Sequence, residues 1–216
     1  MTKLKNANKT RDAEATKASI LDAAETEFAR AGLLGARTEN IAEDTGVTRA
    51  MIHYYYESKE KLYHAVLDRS FQRRIRNLAK VDLESGPVEQ VLQNYVRAFM
   101  EESFDNVNIS SILLFESIQN HGKYYKEMAL AAIYEPLVKI FERGMQDGTL
   151  RKLDPYQTAI NLVGMCVFYV IARNNLSHLF PEGTDLLSRE MIDVHINEAI
   201  EMLLHGVLAQ GSALKV

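Results

Sequence analysis

Apolar residues recur at intervals of three and four positions along nearly the whole of this 216-residue chain. No segment sustains the alternation of apolar and polar residues that marks a half-buried strand. Only four prolines are present to interrupt helices. The pattern therefore predicts an all-α fold of about nine helices, and the chain is long enough to form one or two domains with sizeable cores.

Residues typical of helix ends divide the first part of the chain into short helices. Residues 1–14 carry basic side chains and little apolar content, so we predict a flexible basic arm there. The first helix is predicted over 15–31, and Gly32 after it supplies the positive φ common at a helix C-terminus. A longer helix is predicted to begin after Ser58, a residue favoured at helix N-caps.

Residues 38–59 read TENIAEDTGVTRAMIHYYYESK, which predicts two short helices joined by a sharp turn. Thr38 and Thr48 are favourable N-cap residues, and Gly46 tolerates positive φ in the turn between them. In helix-turn-helix proteins the second helix of such a pair enters the major groove of DNA. The recognition helix is predicted near Thr48–Tyr56.

The outer face of this predicted recognition helix carries side chains able to donate hydrogen bonds to DNA. Arg49 is suited both to guanine and to phosphate, and the two alternatives stay open. Lys59 opens the next helix, where backbone N–H groups also attract phosphate. Ile52 and Tyr56 are predicted to anchor the helix in the core. The predicted DNA contacts are Thr38, Thr48, Arg49, Ala50, Met51, His53, Tyr54, Tyr55 and Lys59.

Charge is distributed unevenly along the chain. Residues 1–76 hold 14 Lys and Arg against 11 Asp and Glu, whereas the remainder holds 11 against 18. A mildly basic N-terminal part and an acidic C-terminal part suit a chain whose N-terminal domain binds nucleic acid and whose second domain does not. We predict a helix-turn-helix domain over 15–67, a connecting helix and linker over 68–86, and a larger helical domain over 87–216.

The second domain is predicted to begin at Gly86-Pro87 and to contain further long helices. Pro136 is expected to kink or split one predicted over 124–146. The stretch 160–172 is apolar nearly all round, which predicts a helix buried on every side and too short to cross a membrane. The remaining helices are predicted over 87–103, 108–120, 155–179 and 188–209.

The stretch ILDAAETEFARAG, followed by RTENIAEDTGVTRAMIHYYYESKEKLYHAVL, closely resembles the N-terminal domain of the TetR family of bacterial regulators. The resemblance covers roughly residues 20–67, and the rest of the chain fits the family's second domain in length and class only. Three positions depart from the common pattern, with His53 for tyrosine, Tyr56 for phenylalanine and Ala50 for glycine. The resemblance is carried by Phe28, Gly32, Thr38, Ile41-Ala42, Gly46-Val47, Tyr55, Lys59 and Leu62.

The resemblance implies a homodimer that binds a near-palindromic double-stranded DNA operator, usually as a repressor, and is released by a small-molecule effector. Effector sites are concave and mostly apolar, with a few polar groups. Arg173 is suited to an anionic group on the effector, but pairing with Glu116 or exposure to solvent are alternatives. The effector candidates are Tyr95, Phe99, Phe104, Phe115, Glu116, Gln119, Tyr124, Met128, Met165, Cys166, Tyr169 and Arg173.

The last two helices are predicted to form the dimer interface, because their apolar stripes are broader than one neighbouring helix needs. In the TetR family these helices build a four-helix bundle with those of the second subunit. Packing within one chain is the alternative. The predicted interface residues are Phe168, Ala172, Leu176, Ile192, Ile196, Ile200, Leu203, Leu204 and Val207.

Two other classes of function were weighed against a DNA-binding regulator. The six histidines show no metal-binding spacing, and no phosphate-binding loop or nucleophile elbow occurs, so an enzyme is disfavoured and no cofactor or metal is predicted. A helical protein-binding adaptor that no longer reads DNA is the alternative, and Arg49, Tyr55 and Lys59 argue against it. The single cysteine and the polar N-terminus predict a cytoplasmic protein with no membrane partner.

Overall fold

The computed structural model describes the backbone of residues 2–125 and 130–208, and the side chains of residues 12–125 and 133–208. Within these ranges the chain is helical and contains no strand, which confirms the all-α prediction. Met128, a predicted effector contact, lies outside the described residues. The helices are α1 (Thr2–Gly35), α2 (Thr38–Thr45), α3 (Arg49–Tyr56), α4 (Lys59–Leu78), α5 (Val88–Asp105), α6 (Val107–Gln119), α7 (Leu130–Gln146), α8 (Pro155–Leu176) and α9 (Arg189–Val207).

The chain forms two compact units. The first consists of Met1–Ser70 with Ser111–Tyr125, and the second consists of Phe71–Ser110 with Lys126–Val216. The segment 111–125 therefore packs with the helix-turn-helix, although the sequence places it in the second domain. The physical reason is a buried hydrogen bond from the Tyr63 hydroxyl to Glu116, a contact 53 positions apart that no local pattern encodes.

Helix α1 begins at Thr2, so the prediction that it starts at residue 15 is wrong. The prediction of an arm rests on the low apolar content of residues 2–14. A low apolar content does not exclude a helix, and the residue types of this segment are compatible with one. At the other end, Gly32 has φ 66° and ψ −179°, and the helix resumes beyond this kink as far as Gly35. The positive φ predicted at Gly32 is confirmed.

The second unit is built mainly on contacts among α5, α7, α8 and α9. Helix α7 runs through Pro136 as one helix, so the proline does not split it. Asp154 and Ser188 cap α8 and α9 by accepting hydrogen bonds from Gln157 N–H and Met191 N–H. A buried ion pair, from Arg74 Nε to Glu102 Oε2 at 2.5 Å, joins α4 to α5 inside this unit.

Helix α8 departs from its prediction in both length and burial. With the short helical turn that follows, 155–179 is long and apolar enough to cross a membrane by length and composition, contrary to our expectation. One side of α8 packs in the core of the second unit, as a core helix does. The other side exposes Tyr156, Ile160 and Phe168, so the helix is not buried on every side.

Candidate nucleic-acid interface

The turn between α2 and α3 has the geometry that its sequence predicts. Gly46 ends α2 in the left-handed conformation, with φ 70° and ψ 9°. Thr48 caps α3, and its hydroxyl accepts a hydrogen bond from Met51 N–H at 3.3 Å. Thr38, by contrast, is the first residue of α2, and Arg37 occupies the N-cap position. The prediction of Thr38 as the N-cap is therefore wrong by one residue.

Helix α3 is held in place from its inner face. Ile52 is buried, as is Ile41 on α2, so the two short helices share an apolar contact face. The Tyr56 hydroxyl donates to the Lys17 carbonyl at 3.0 Å, which ties the end of α3 to α1. Burial raises the pKa of Tyr56, so its hydroxyl remains a hydrogen-bond donor. Ile52 is therefore a core anchor as predicted, whereas Tyr56 is half-buried and holds the helix through its hydroxyl.

The outer face of α3 borders a cleft of about 470 Å³. Met51 and Tyr54 are exposed outside the cleft, and Tyr55 is half-buried with its ring 5.2 Å from that of Tyr54. The structure therefore brings five of the nine predicted DNA contacts together around one concavity. The lining residues are Thr38, Arg49, Ala50, Ile52, His53, Glu57, Ser58 and Lys59.

Lys59 has a structural contact that the sequence did not reveal. Its ammonium donates to the Ala36 carbonyl at 3.1 Å and lies 3.5 Å from the Leu34 carbonyl. Leu34 lies in the last turn of α1 and Ala36 directly follows the helix, where a positive charge is favourable. The side chain thus joins α4 to α1 while its ammonium also borders the cleft, so a phosphate contact stays a prediction.

Glu27, which no local sequence pattern marks as structural, organises the start of α2. It is buried, and its carboxylate accepts hydrogen bonds from the Arg30 guanidinium, from Arg37 N–H and from the Asn40 amide, the last two at 2.9 Å. Arg30 lowers the pKa of Glu27, burial opposes the change, and Arg37 N–H lowers it further. A carboxylate of α1 therefore performs the capping that Thr38 does not.

Glu27→Gln is expected to lower the melting temperature by about 4–8 °C at pH 7, because hydrogen bonds to a charged group contribute about 1.5–3 kcal/mol. The folded-state pKa of Glu27 lies below its unfolded value, so the stabilisation is present at neutral pH and is lost as the pH falls through the folded pKa. The gap between variant and wild type should therefore close below about pH 4. Thermal melts from pH 7 to pH 3 test this, with the exposed Glu43→Gln as control; a gap independent of pH would contradict it.

Four of the predicted effector residues lie in the first unit, namely Phe115, Glu116, Gln119 and Tyr124. Glu116 is buried, and its carboxylate accepts hydrogen bonds from the Tyr63 hydroxyl, the Asn120 amide and Tyr124 N–H. Gln119 accepts from Leu34 N–H at 3.3 Å. Their polar groups thus serve packing inside this unit.

Most effector candidates of the second unit are packed as core residues. The Tyr95 hydroxyl donates to the Ile133 carbonyl at 2.9 Å, and the Arg74 guanidinium lies 4.9 Å from the centre of the Phe99 ring. Tyr169 donates to the Leu186 carbonyl and is flanked by Phe104, with ring centres 5.8 Å apart.

Three further candidates of this unit have different surroundings. Burial raises the pKa of Cys166 to about 12, so its thiol stays protonated. Met165 borders a shallow cleft of about 290 Å³, whereas Arg173 borders another of about 160 Å³. Within the described residues, Met165 and Arg173 therefore border different clefts.

The predicted dimer residues divide by burial. Phe168 is exposed, and Ala172, Leu176 and Leu203 are half-buried. The apolar stripe of α9 instead packs against its own chain, so its members cannot form most of an interface, and that part of the prediction is wrong. The buried members are Ile192, Ile196, Ile200, Leu204 and Val207.

Two short helices joined at a left-handed glycine, with a polar outer face on the second, define a helix-turn-helix DNA-binding protein. The family model described as "Bacterial regulatory proteins, tetR family" matches residues 20–66. A second model, "Tetracyclin repressor-like, C-terminal domain", matches residues 87–203. The chain belongs to the TetR family of bacterial regulatory proteins.

Named relatives support the same assignment. The HTH-type transcriptional repressor NicS of Pseudomonas putida is 28% identical over 170 residues, which cover 76% of this chain and 80% of NicS. The HTH-type transcriptional regulator RutR of Escherichia coli is 29% identical over 149 residues, covering 68% of this chain and 70% of RutR. This protein is therefore a DNA-binding transcriptional regulator and not an enzyme.

The fold also matches solved structures. A bacterial regulatory protein of the tetR family from Rhodococcus superposes with a TM-score of 0.74 at 19% identity, covering 90% of this chain and 98% of that one. The ketosteroid transcriptional regulator KstR2 of Mycobacterium tuberculosis superposes with a TM-score of 0.70 at 16% identity, covering 90% and 95%. At these identities the likeness concerns the fold alone.

Proposed function

We propose that this protein is a cytoplasmic repressor that binds a near-palindromic operator as a homodimer and releases it when a small molecule binds its second unit. The observation that carries the proposal is the cleft beside α3, which gathers the Arg49, His53 and Lys59 side chains on one face. Such a face offers donors both to base edges and to phosphates. The name of NicS as a repressor supports the direction of regulation.

The exposed side of α8 supports a dimer. Tyr156, Ile160 and Phe168 stand at multiples of four residues along the helix, with Gly164 between them, so they share one ridge. Val194 and Met202 are exposed on α9 of the same unit. An isologous interface needs a self-complementary apolar patch, and a ridge that includes a glycine allows close approach of two helices.

Effector release follows from a two-state equilibrium. A dimer must hold its recognition helices about 34 Å apart to reach successive major grooves. A ligand that prefers a state with another spacing shifts the population and weakens DNA binding. The ligand contacts proposed in the second unit are Tyr95, Phe99, Met165, Cys166, Tyr169 and Arg173.

Operator binding is tested by selection from a random-sequence duplex library. The wild-type protein is expected to enrich a near-palindromic sequence and to bind it with two chains per duplex. The double variant Arg49→Ala, Tyr55→Phe should bind that enriched duplex at least about tenfold more weakly, since each lost contact contributes about 1 kcal/mol or more. Unchanged binding by this variant would contradict groove recognition and would favour the adaptor function.

Effector release is tested in the same assay. A thermal-shift screen of small molecules identifies compounds that stabilise the protein. A stabilising compound at saturation is expected to lower affinity for the enriched duplex. If every stabilising compound left the affinity unchanged, effector release would be wrong, while operator binding would stand.

A further inference from the structure

An acidic side chain stands beside two of the predicted DNA contacts. Glu39 Oε1 lies 2.7 Å from Arg49 Nη1, and Glu39 Oε2 lies 3.5 Å from the Thr38 hydroxyl. Glu39 is in the first turn of α2, and Arg49 is the first residue of α3. The ion pair therefore joins the two helices of the helix-turn-helix at the border of the cleft.

A carboxylate at this position opposes general DNA binding. Duplex DNA attracts proteins through its phosphates whatever its sequence. Glu39 offsets the Arg49 charge and repels phosphates that come within the Debye length, which is about 8–10 Å at physiological salt. The pair is well exposed, with 65% of the Arg49 side chain and 48% of the Glu39 side chain accessible, so both groups can be reached by a duplex.

The ion pair with Glu39 also orients the Arg49 guanidinium. A free arginine loses considerable rotamer freedom when it binds, whereas a guanidinium already held in place loses less. Glu39 contacts Nη1, which leaves another edge of the planar guanidinium to meet a second acceptor. The O6 and N7 atoms of guanine match such an edge at a fixed place in the major groove. Phosphates line every duplex and carry no sequence information, so a guanidinium held in one orientation towards a base edge favours the correct sequence.

We propose that Glu39 is a specificity-determining positioning residue: it holds Arg49 for a guanine of the operator and disfavours Arg49 as a general phosphate contact. The proposal rests on the operator binding proposed above. Specificity is a difference between two affinities, and Glu39 acts on both, because it lowers attraction to any duplex and reduces the ordering cost on the correct one.

The test compares Glu39→Gln with wild type on two probes. One probe is the duplex that wild type enriches from a random library, and the other is a shuffled duplex of the same base composition. Fluorescence anisotropy is measured over a range of salt concentrations. Glu39→Gln is expected to bind the shuffled duplex about threefold or more tightly at low salt, and its ratio of specific to non-specific affinity should fall about tenfold.

Two further variants separate orientation from charge. Glu43→Gln removes the same charge from α2 at an exposed residue. It should therefore strengthen binding to both probes alike and leave the ratio of specific to non-specific affinity unchanged. In an Arg49→Ala background, Glu39→Gln should no longer alter the ratio, because Glu39 acts through Arg49.

A ratio that Glu39→Gln leaves unchanged, or changes equally without Arg49, would overturn the proposal. If the wild-type protein enriched no sequence at all, the operator binding itself would be wrong. Melting temperatures of the variants, expected within about 2 °C of wild type because surface ion pairs contribute little, exclude loss of folding as the cause.

Discussion

Phe168→Arg is expected to convert the proposed dimer into monomers and to weaken binding to the enriched duplex by more than about 100-fold, because a monomer loses the gain from two linked half-sites. Phe168 is 62% exposed on α8. In a symmetric interface each introduced guanidinium lies close to the apolar patch of the partner or to its own symmetry copy. Either arrangement buries an unpaired charge, which is costly.

The chain should still fold, since arginine favours helices and the site faces solvent within one chain. Analytical ultracentrifugation measures the oligomeric state, and anisotropy measures affinity for the duplex. Ile118→Arg is the matched control, because Ile118 is 64% exposed but belongs to the first unit. It should remain dimeric. A Phe168→Arg protein that is still a dimer at low micromolar concentration would exclude the α8 ridge as the interface.

The parts of this site that the sequence predicts correctly depend on short-range chemistry. Gly46 ends α2 in the left-handed conformation, and Thr48 and Ser58 cap the helices that follow them. Each of these roles requires only a residue type and its near neighbours. The spacing of Ile41 and Ile52 likewise indicates the inner face of the two short helices.

The parts that could not be predicted depend on contacts between distant positions. Glu27 bonds Arg37 N–H across the turn after α1, and Gln119 bonds Leu34 N–H across 85 positions. An isolated glutamate or glutamine in a helix looks like a solvated surface residue, so nothing local marks either as structural. Only the assembled first unit reveals them.

The apolar stripe of helix α9 also shows that a local pattern does not identify the surface against which a helix packs. The spacing of Ile196 and Leu204 indicates an apolar face, but it does not specify which surface covers that face. Their own chain covers it, and the exposed ridge belongs to α8. An amphipathic pattern thus predicts that a residue is buried, whereas the identity of its neighbour depends on how all the helices pack.

Gly32→Ala is expected to destabilise the first unit by about 3 kcal/mol, which corresponds to a fall in melting temperature of roughly 8 °C. Gly32 has φ 66° and ψ −179°, a region that almost only glycine adopts. A Cβ added there would also lie 2.3 Å from Gln119 Oε1. Both effects distort the kink that leads from α1 towards α2, so affinity for the enriched duplex should fall as well.

Three variants separate the backbone strain from the steric overlap. Gln119→Ala alone should be nearly neutral, because it removes an acceptor from the exposed Leu34 N–H. Combined with Gly32→Ala it relieves the overlap and leaves the strain, so the double variant should be more stable than Gly32→Ala. Gly46→Ala is the matched control, since Gly46 also has a positive φ but an added Cβ would meet no heavy atom within 4 Å in the described part of the chain.

Gly46→Ala should therefore lose only about 1–2 kcal/mol, the usual difference for a left-handed residue. Circular dichroism melts of the four variants and of wild type give their order of stability. A Gly32→Ala protein as stable as Gly46→Ala would mean that Gln119 moves aside freely, and the contact between the α1 kink and α6 would then contribute nothing to the position of the helix-turn-helix. The expected order, with Gly32→Ala lowest and partial recovery on removing Gln119, would instead show that Gln119 packs too closely against the α1 kink to admit a Cβ at position 32.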